Sequence, residues 1–160
     1  MMVPGAVAFN EGVATVIEAY AANDKAGATD RFCTLVSGPE WRGGCEKFLP
    51  EGWLDQAVTD LDGCFQSDLP GLTEWQFSQE VASRINQPAL CVVGQDSFPL
   101  FKEGNDLLLR WLPRAEQFVV PDSTHGLPMM NPSALAAGLS AFFMRNSVAP
   151  QSEVAMKHAF

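Results

Sequence analysis

The fold of this chain is decided at residues 88–97, which read Pro88-Ala89-Leu90-Cys91-Val92-Val93-Gly94-Gln95-Asp96-Ser97. The residues from Ala89 to Val93 are all apolar, and a short run without polar alternation is typical of a strand that is buried on both faces of a parallel sheet. Gly94 ends the run, and Asp96 follows on a turn. The stretch therefore predicts a buried parallel strand with a carboxylate just beyond its carboxyl end.

A second strand is predicted further along, at Gln117-Phe118-Val119-Val120, after a helix that opens near Pro99. Strand, helix and strand in this order imply a right-handed crossover between parallel strands. The loop 121–130 follows the second strand and carries His125. Ligands and catalytic groups of open parallel sheets gather at the carboxyl ends of the strands, and this order places the Asp96 turn and the His125 loop at the same edge. The spacing allows the two side chains to meet there.

A last helix is predicted to begin at Asn131-Pro132, because asparagine caps helices and proline suits the first helical position. Residues 1–86 show no convincing strand and instead have the spacing of short amphipathic helices. We therefore expect three parts, namely a helical region at 1–86, an α/β region at 87–146 and a tail at 147–160.

Within the helical region, three local signals mark predicted helix ends. Asn10 is the predicted cap of the first helix, and Gly38-Pro39 ends the second. Leu69-Pro70-Gly71 is predicted to break the helical pattern, and His158 in the tail is predicted to be exposed.

Composition narrows the classes of function. The 160 residues carry a formal net charge of −9, which argues against binding to nucleic acid or to an anionic membrane surface. The four cysteines form no C-x-x-C pair, and neither a signal peptide nor an apolar run of the ~18 residues that span a membrane is visible. The sequence thus predicts a cytoplasmic protein with reduced thiols.

His125 and Asp96 are the candidate catalytic residues. A histidine beyond a buried strand can act as a general base, and a carboxylate can fix its tautomer. Two plainer interpretations stay open, since a loop histidine is often a surface residue and an aspartate after a strand often caps the next helix. No metal or cofactor is predicted, because His125 and His158 lack ligand-spaced partners and no G-x-G-x-x-G or P-loop is present.

Several segments, taken in order, resemble the α/β-hydrolase superfamily. Residues 88–97 resemble its strand and acid-bearing turn. Segments that resemble the family's final strand and histidine loop follow at Trp111-Leu112-Pro113-Arg114-Ala115-Glu116, then at Val119-Val120-Pro121 and Thr124-His125. Asn131-Pro132 and the helix ending in Phe142-Phe143 resemble its last helix. The helical region resembles the cap that many of these enzymes insert ahead of the penultimate strand.

The resemblance implies an α/β fold in which a helical cap precedes the last two parallel strands and helices of an incomplete sheet. It also implies a Ser–His–Asp triad with Asp96 as acid and His125 as base. The acid of the family usually lies three residues past the strand-end glycine, where this chain has Ser97, so a different residue stays open as the acid. The nucleophile elbow G-x-S-x-G is absent.

We therefore expect a fragment or truncated form of a hydrolase, inactive alone because the nucleophile and oxyanion hole are missing. The implied substrate is a small, largely apolar, ester-like molecule, bound once a missing N-terminal part completes the site. The alternative is a non-catalytic α/β module that acts through self-association, as a homo-oligomer formed at an exposed sheet edge, or through a protein partner.

Overall fold

The computed structural model describes residues 3–147, without the side chain of Thr73. The predicted tail at 147–160, including His158, lies outside this range apart from Ser147. The described part is mixed α/β and mostly helical, with one small parallel sheet. No helix within it is both long and apolar enough to cross a bilayer.

The N-terminal region folds into helices alone, as the sequence predicted. A single π-helical turn, Cys64–Asp68, joins the fourth helix to the fifth. The six helices are α1 (Gly5–Ala21), α2 (Lys25–Ser37), α3 (Trp41–Glu46), α4 (Trp53–Gly63), α5 (Leu69–Glu74) and α6 (Gln79–Ala82).

Two predicted helix boundaries in this region are wrong. Asn10 lies inside α1, because the helix begins five residues earlier, where the Gly5 N–H donates to Glu103 Oε2 at 2.7 Å. Leu69-Pro70-Gly71 does not break the chain's helical course. Proline occupies the first turn of α5, where its missing N–H costs little, and the π-helical turn just before it absorbs the change in geometry.

The helical region has its own apolar core. Val16 and Ala19 of α1 pack with Ala28 of α2 and Leu61 of α4, all of them buried. The rings of Tyr20 and Phe65 stack beside this core at a centroid distance of 4.0 Å. The packing joins three helices into one unit ahead of the sheet.

The α/β region contains a two-stranded parallel sheet, as predicted. Its strands are β1 (Ala89–Gly94) and β2 (Ala115–Val120), and the register places Ala89 opposite Ala115. Its helices are α7 (Pro99–Trp111), α8 (Leu127–Met130) and α9 (Pro132–Arg145). Neither strand has a further partner among residues 3–147.

Helices cover both faces of this sheet. Phe118 of β2 faces α9, where a Cβ at Gly138 would lie 2.2 Å from the phenylalanine ring. The predicted start of α9 is confirmed, since the Asn131 side chain accepts a hydrogen bond from the Ala134 N–H at 3.2 Å. On the opposite face, α7 packs against β1 and β2 and also contacts α1.

Candidate functional site

The turn that carries Asp96 and the loop that carries His125 lie side by side at the carboxyl ends of the two strands. The Asp96 N–H donates to the Ser123 carbonyl at 2.8 Å, and the Gln95 N–H donates to the Val120 carbonyl at 2.9 Å. Gly94 makes this approach possible, because a Cβ there would lie 2.2 Å from the Thr124 carbonyl oxygen. The structure thus brings together the two segments that the sequence predicted to meet.

The Asp96 carboxylate is exposed and has no hydrogen-bond partner in the described part of the chain. It does not cap the next helix, since Phe98 is the N-cap of α7 and no side chain bonds there. Asp96 instead lines a cleft of about 300 Å³ together with Thr124 and residues of α2. Ser97, at the family's usual acid position, is buried, and within residues 3–147 its hydroxyl has no partner.

The His125 ring lies over the first turn of α7. It stacks on Phe101 at a centroid distance of 3.8 Å and an interplanar angle of 12°, and Phe9 of α1 meets Phe101 edge-on at 5.5 Å. Because Phe101 covers only one face of the ring, His125 is still exposed overall. Partial burial lowers the pKa of His125 by desolvation, so the imidazole is neutral and able to accept a proton near pH 7.

The side chains of Asp96 and His125 are not hydrogen-bonded to each other. The structure joins their loops through the backbone, while the imidazole rests on Phe101. Neither imidazole nitrogen has a hydrogen-bond partner in the part of the chain that the structure describes.

The histidine loop is also tied to the helical region. Thr124 Oγ1 donates to the Ser37 carbonyl, the last of α2, at 2.8 Å. The Thr124 N–H donates to Met130 Sδ at 3.2 Å. Asp122, at the start of the loop, adopts a left-handed conformation with φ of +50°, which aspartate tolerates better than most residues. These contacts fix His125 between the sheet and the helices.

A cavity of about 510 Å³ opens beside this loop, between α2, α3, α4 and α8. Its walls are mostly apolar and rich in indole rings and sulfur atoms. Residues from four separate segments meet there, among them Cys33, Trp41, Cys45, Trp53, Gly126 and Met129.

The sequence did not reveal this cavity, because its walls come from residues up to 97 positions apart in the chain, from Cys33 to Met130. The helical pattern of residues 1–86 does not show that Trp41, Cys45 and Trp53 face one cavity. The one local signal is the pair Gly43-Gly44 inside α3, since two adjacent glycines weaken a helix.

The thiol of Cys33 and the hydroxyl of Ser37, two nucleophiles that line the cavity, are poorly suited to attack. Burial, together with the nearby Cys45 and Asp30, raises the pKa of the Cys33 thiol to about 11, so it stays protonated at neutral pH. Ser37 packs against Gly126 but ends α2, and the negative end of a helix dipole disfavours an alkoxide. Among residues 3–147, no cluster of three or more His, Cys, Asp or Glu side chains could hold a metal ion.

Comparison of the chain with protein families, with curated proteins and with solved structures finds no match.

Proposed function

We propose that this chain supplies the acid and base loops and the apolar substrate cavity of an α/β-hydrolase-type enzyme. The substrate is a small, largely apolar, ester-like molecule, and polypeptide outside these 160 residues supplies the nucleophile and oxyanion hole. The observation that carries the proposal is the backbone junction of the Asp96 turn and the His125 loop, directly beside the cavity. Parallel sheets gather catalytic groups at this edge.

In this role, His125 acts as general base. Its neutral imidazole takes the proton of the attacking hydroxyl as the new bond to the carbonyl carbon forms, and it then returns that proton to the leaving alkoxide. The carboxylate of Asp96 is free to accept the second ring N–H, since neither group has another partner in the described part of the chain. Asp122 and Gly126, on either side of His125, line the cavity, so the loop that carries the base forms part of the cavity wall.

The outer edge of β1 supports the idea that further strands complete the sheet. The N–H groups of Ala89 and Gln95 point toward β2, so the alternate groups of Leu90 and Val92 point to the opposite edge. That edge has no strand partner within residues 3–147. A parallel strand that pairs there would bring its own carboxyl end next to Asp96.

The test replaces the missing nucleophile with a small thiol. The protein is mixed with p-nitrophenyl butyrate and ethanethiol, and release of p-nitrophenol and formation of the thioester are both measured. If His125 deprotonates the thiol beside the cavity, wild-type protein should exceed His125→Gln at least about tenfold, since general bases contribute factors of this order or more. Asp96→Asn should reduce the rate. Asp68→Asn should not, because Asp68 is an exposed aspartate of the π-helical turn Cys64–Asp68, outside the proposed site.

Equal rates for wild type and His125→Gln would exclude the base role. A serine-directed fluorophosphonate gives an independent check. Labelling of this chain alone, at Ser37 or elsewhere, would overturn the claim that the nucleophile comes from outside the 160 residues.

The second candidate function is a non-catalytic module that self-associates. It is favoured by the edge of β1, which has no strand partner among residues 3–147, and by the apolar side chains of Phe143 and Met144 on α9, which are 63% and 78% exposed. Such a module would form oligomers and would show no thiolysis that depends on His125.

A further inference from the structure

Part of the wall of the cavity beside the histidine loop is formed by residues without side chains. Gly43 and Gly44 both line it, and they are adjacent residues inside the short helix α3. Glycine weakens a helix relative to alanine at each position. Packing does not explain the pair, because a Cβ at Gly43 would meet nothing within 4 Å and a Cβ at Gly44 would make only ordinary contacts of 3.8–3.9 Å with Met129.

The space around Gly43 and Gly44 contrasts with that around two tightly packed glycines, although Gly52, Gly63, Gly71 and Gly104 are as open as Gly43. At Gly94 and Gly138 the backbone or a ring lies so close that a Cβ could not be accommodated. Gly43 and Gly44 line the cavity, and a Cβ at Gly44 would lie beside Met129, another lining residue. A large side chain at Gly44 would therefore take up part of the open volume.

The volume indicates the size of the ligand. The cavity measures about 510 Å³. A cavity of about 150 Å³ holds one benzene molecule. The space is more than three times as large, so it accommodates a two-ring aromatic molecule together with a substituent.

The lining indicates the chemistry of the ligand. The indoles of Trp41 and Trp53 meet at 5.6 Å and 84°, so they present two perpendicular ring planes. Arg42 covers one face of Trp41 at 4.8 Å from the ring centroid. Sulfur atoms of Cys33, Cys45 and Met129 complete the wall, and polarizable sulfur packs well against the edges of aromatic rings.

Charge at the cavity selects against anions. The lining residues that carry a charge at neutral pH are Glu40, Lys47 and Asp122, two carboxylates against one ammonium group. None of the three forms an ion pair within the described residues. A carboxylate ligand would meet net repulsion there.

From these observations we infer that the cavity binds an uncharged two-ring aromatic molecule and that Gly43 and Gly44 keep it open. This inference rests on the proposed function only where it names the ligand as the aromatic part of the ester substrate. Binding itself needs no reaction and no nucleophile.

The experiment measures binding of 2-naphthol, which is uncharged at pH 7, and of the anion 2-naphthoate by isothermal titration calorimetry. We expect a Kd of about 0.1–1 mM for 2-naphthol, as ligands of this size reach in apolar pockets, and at least about fivefold weaker binding of 2-naphthoate. Gly44→Leu should weaken 2-naphthol binding at least about tenfold, because the new side chain fills the cavity.

Gly63→Leu is the matched control. Gly63 ends α4 outside the cavity, and a Cβ there also meets nothing within 4 Å. Both leucine variants should keep the circular dichroism spectrum and should raise Tm, since leucine is the better helix former. A folded wild type that binds no 2-naphthol, or a Gly44→Leu variant that binds as wild type does, overturns the inference.

Thiolysis of 2-naphthyl acetate, measured alongside 2-naphthol binding, distinguishes a failure of this inference from a failure of the proposed function. Binding of 2-naphthol without thiolysis that depends on His125 would retain the cavity's ligand and exclude the hydrolytic role. Thiolysis that Gly44→Leu leaves unchanged would retain the role and exclude the ligand assignment.

Discussion

At the scale of single residues, the contact with Phe101 is one source of the burial of His125. Phe101 covers one face of its imidazole, and desolvation lowers the pKa of the histidine. Phe101→Leu removes the flat cover, so the pKa of His125 should rise toward its ordinary value near 6.5, as NMR titration of the ring protons would show. Phe98→Leu is the control, because Phe98 contacts Phe9 and not His125. An unchanged His125 pKa in Phe101→Leu would contradict this origin of the shift.

The lowered pKa of His125 also determines how the free energy of unfolding changes with pH. As pH falls through about 6.5, the unfolded chain takes up a proton at His125 before the folded chain does. The free energy of unfolding should therefore decrease with acidification until the pH lies below the lowered folded pKa. Phe101→Leu should flatten this dependence.

The pKa of Asp62 is also lowered, but here the lowered pKa means that the charged form stabilises the folded chain. The resulting change in stability occurs at a lower pH than the change caused by His125. Lys25 Nζ donates to its carboxylate at 2.7 Å and Tyr20 Oη at 2.8 Å, and these two bonds lower the pKa of Asp62 from 3.8. The stabilisation is present above the unfolded pKa and is lost as pH falls below 3.8 through the folded value. In urea unfolding between pH 6 and 2, Lys25→Met should show a weaker loss of stability with acid than wild type. An identical slope would contradict the linkage.

At the scale of elements, the end of β1 joins the two candidate catalytic loops. Gly94→Ala would place a methyl group 2.2 Å from the Thr124 carbonyl oxygen and 2.3 Å from that of Ser123. Overpacking of this kind costs about 1–3 kcal/mol, and here the loop that carries His125 must move. Denaturant unfolding should show the loss, and amide exchange at Asp96 should accelerate because its bond to Ser123 breaks.

Gly104→Ala is the control for that substitution. Gly104 lies inside α7, where a Cβ meets nothing within 4 Å. Alanine there should raise the free energy of unfolding by about 1 kcal/mol through helix propensity alone. A Gly94→Ala protein as stable as wild type would show that the two loops are not tightly packed.

Elements with strong local signals were predictable, and those set by tertiary contacts were not. The apolar run at β1 and the Asn131 cap of α9 carry their own physical causes, so both were found. The start of α1 was missed because it depends on Glu103, which lies 98 residues away. For the same reason the meeting of the loops could be predicted from strand order, while the stacking of His125 on Phe101 and the cavity could not.

At the scale of the whole molecule, a sheet of two strands leaves one edge of β1 unpaired in the described part of the chain. An unpaired row of N–H and C=O groups is a template for another strand. The proposed enzyme would use it for the strands that complete its sheet. A chain kept apart from such strands would use it to pair with a second copy.

Val92→Pro tests the use of this edge. The Val92 N–H points away from β2, so proline there removes a donor from the free edge without removing a bond of the β1–β2 ladder. We expect wild-type protein to show concentration-dependent dimers in sedimentation equilibrium and Val92→Pro to be shifted toward monomer.

Val93→Pro is the contrasting variant, since the Val93 N–H faces β2 and its loss should unfold the sheet. If Val92→Pro dimerises as strongly as wild type, the contact lies elsewhere, and the exposed Phe143 and Met144 of α9 become the candidates. If the wild type is monomeric at every concentration, the edge of β1 is shielded in this chain. The completing strand of the proposed enzyme would then need a different place to join.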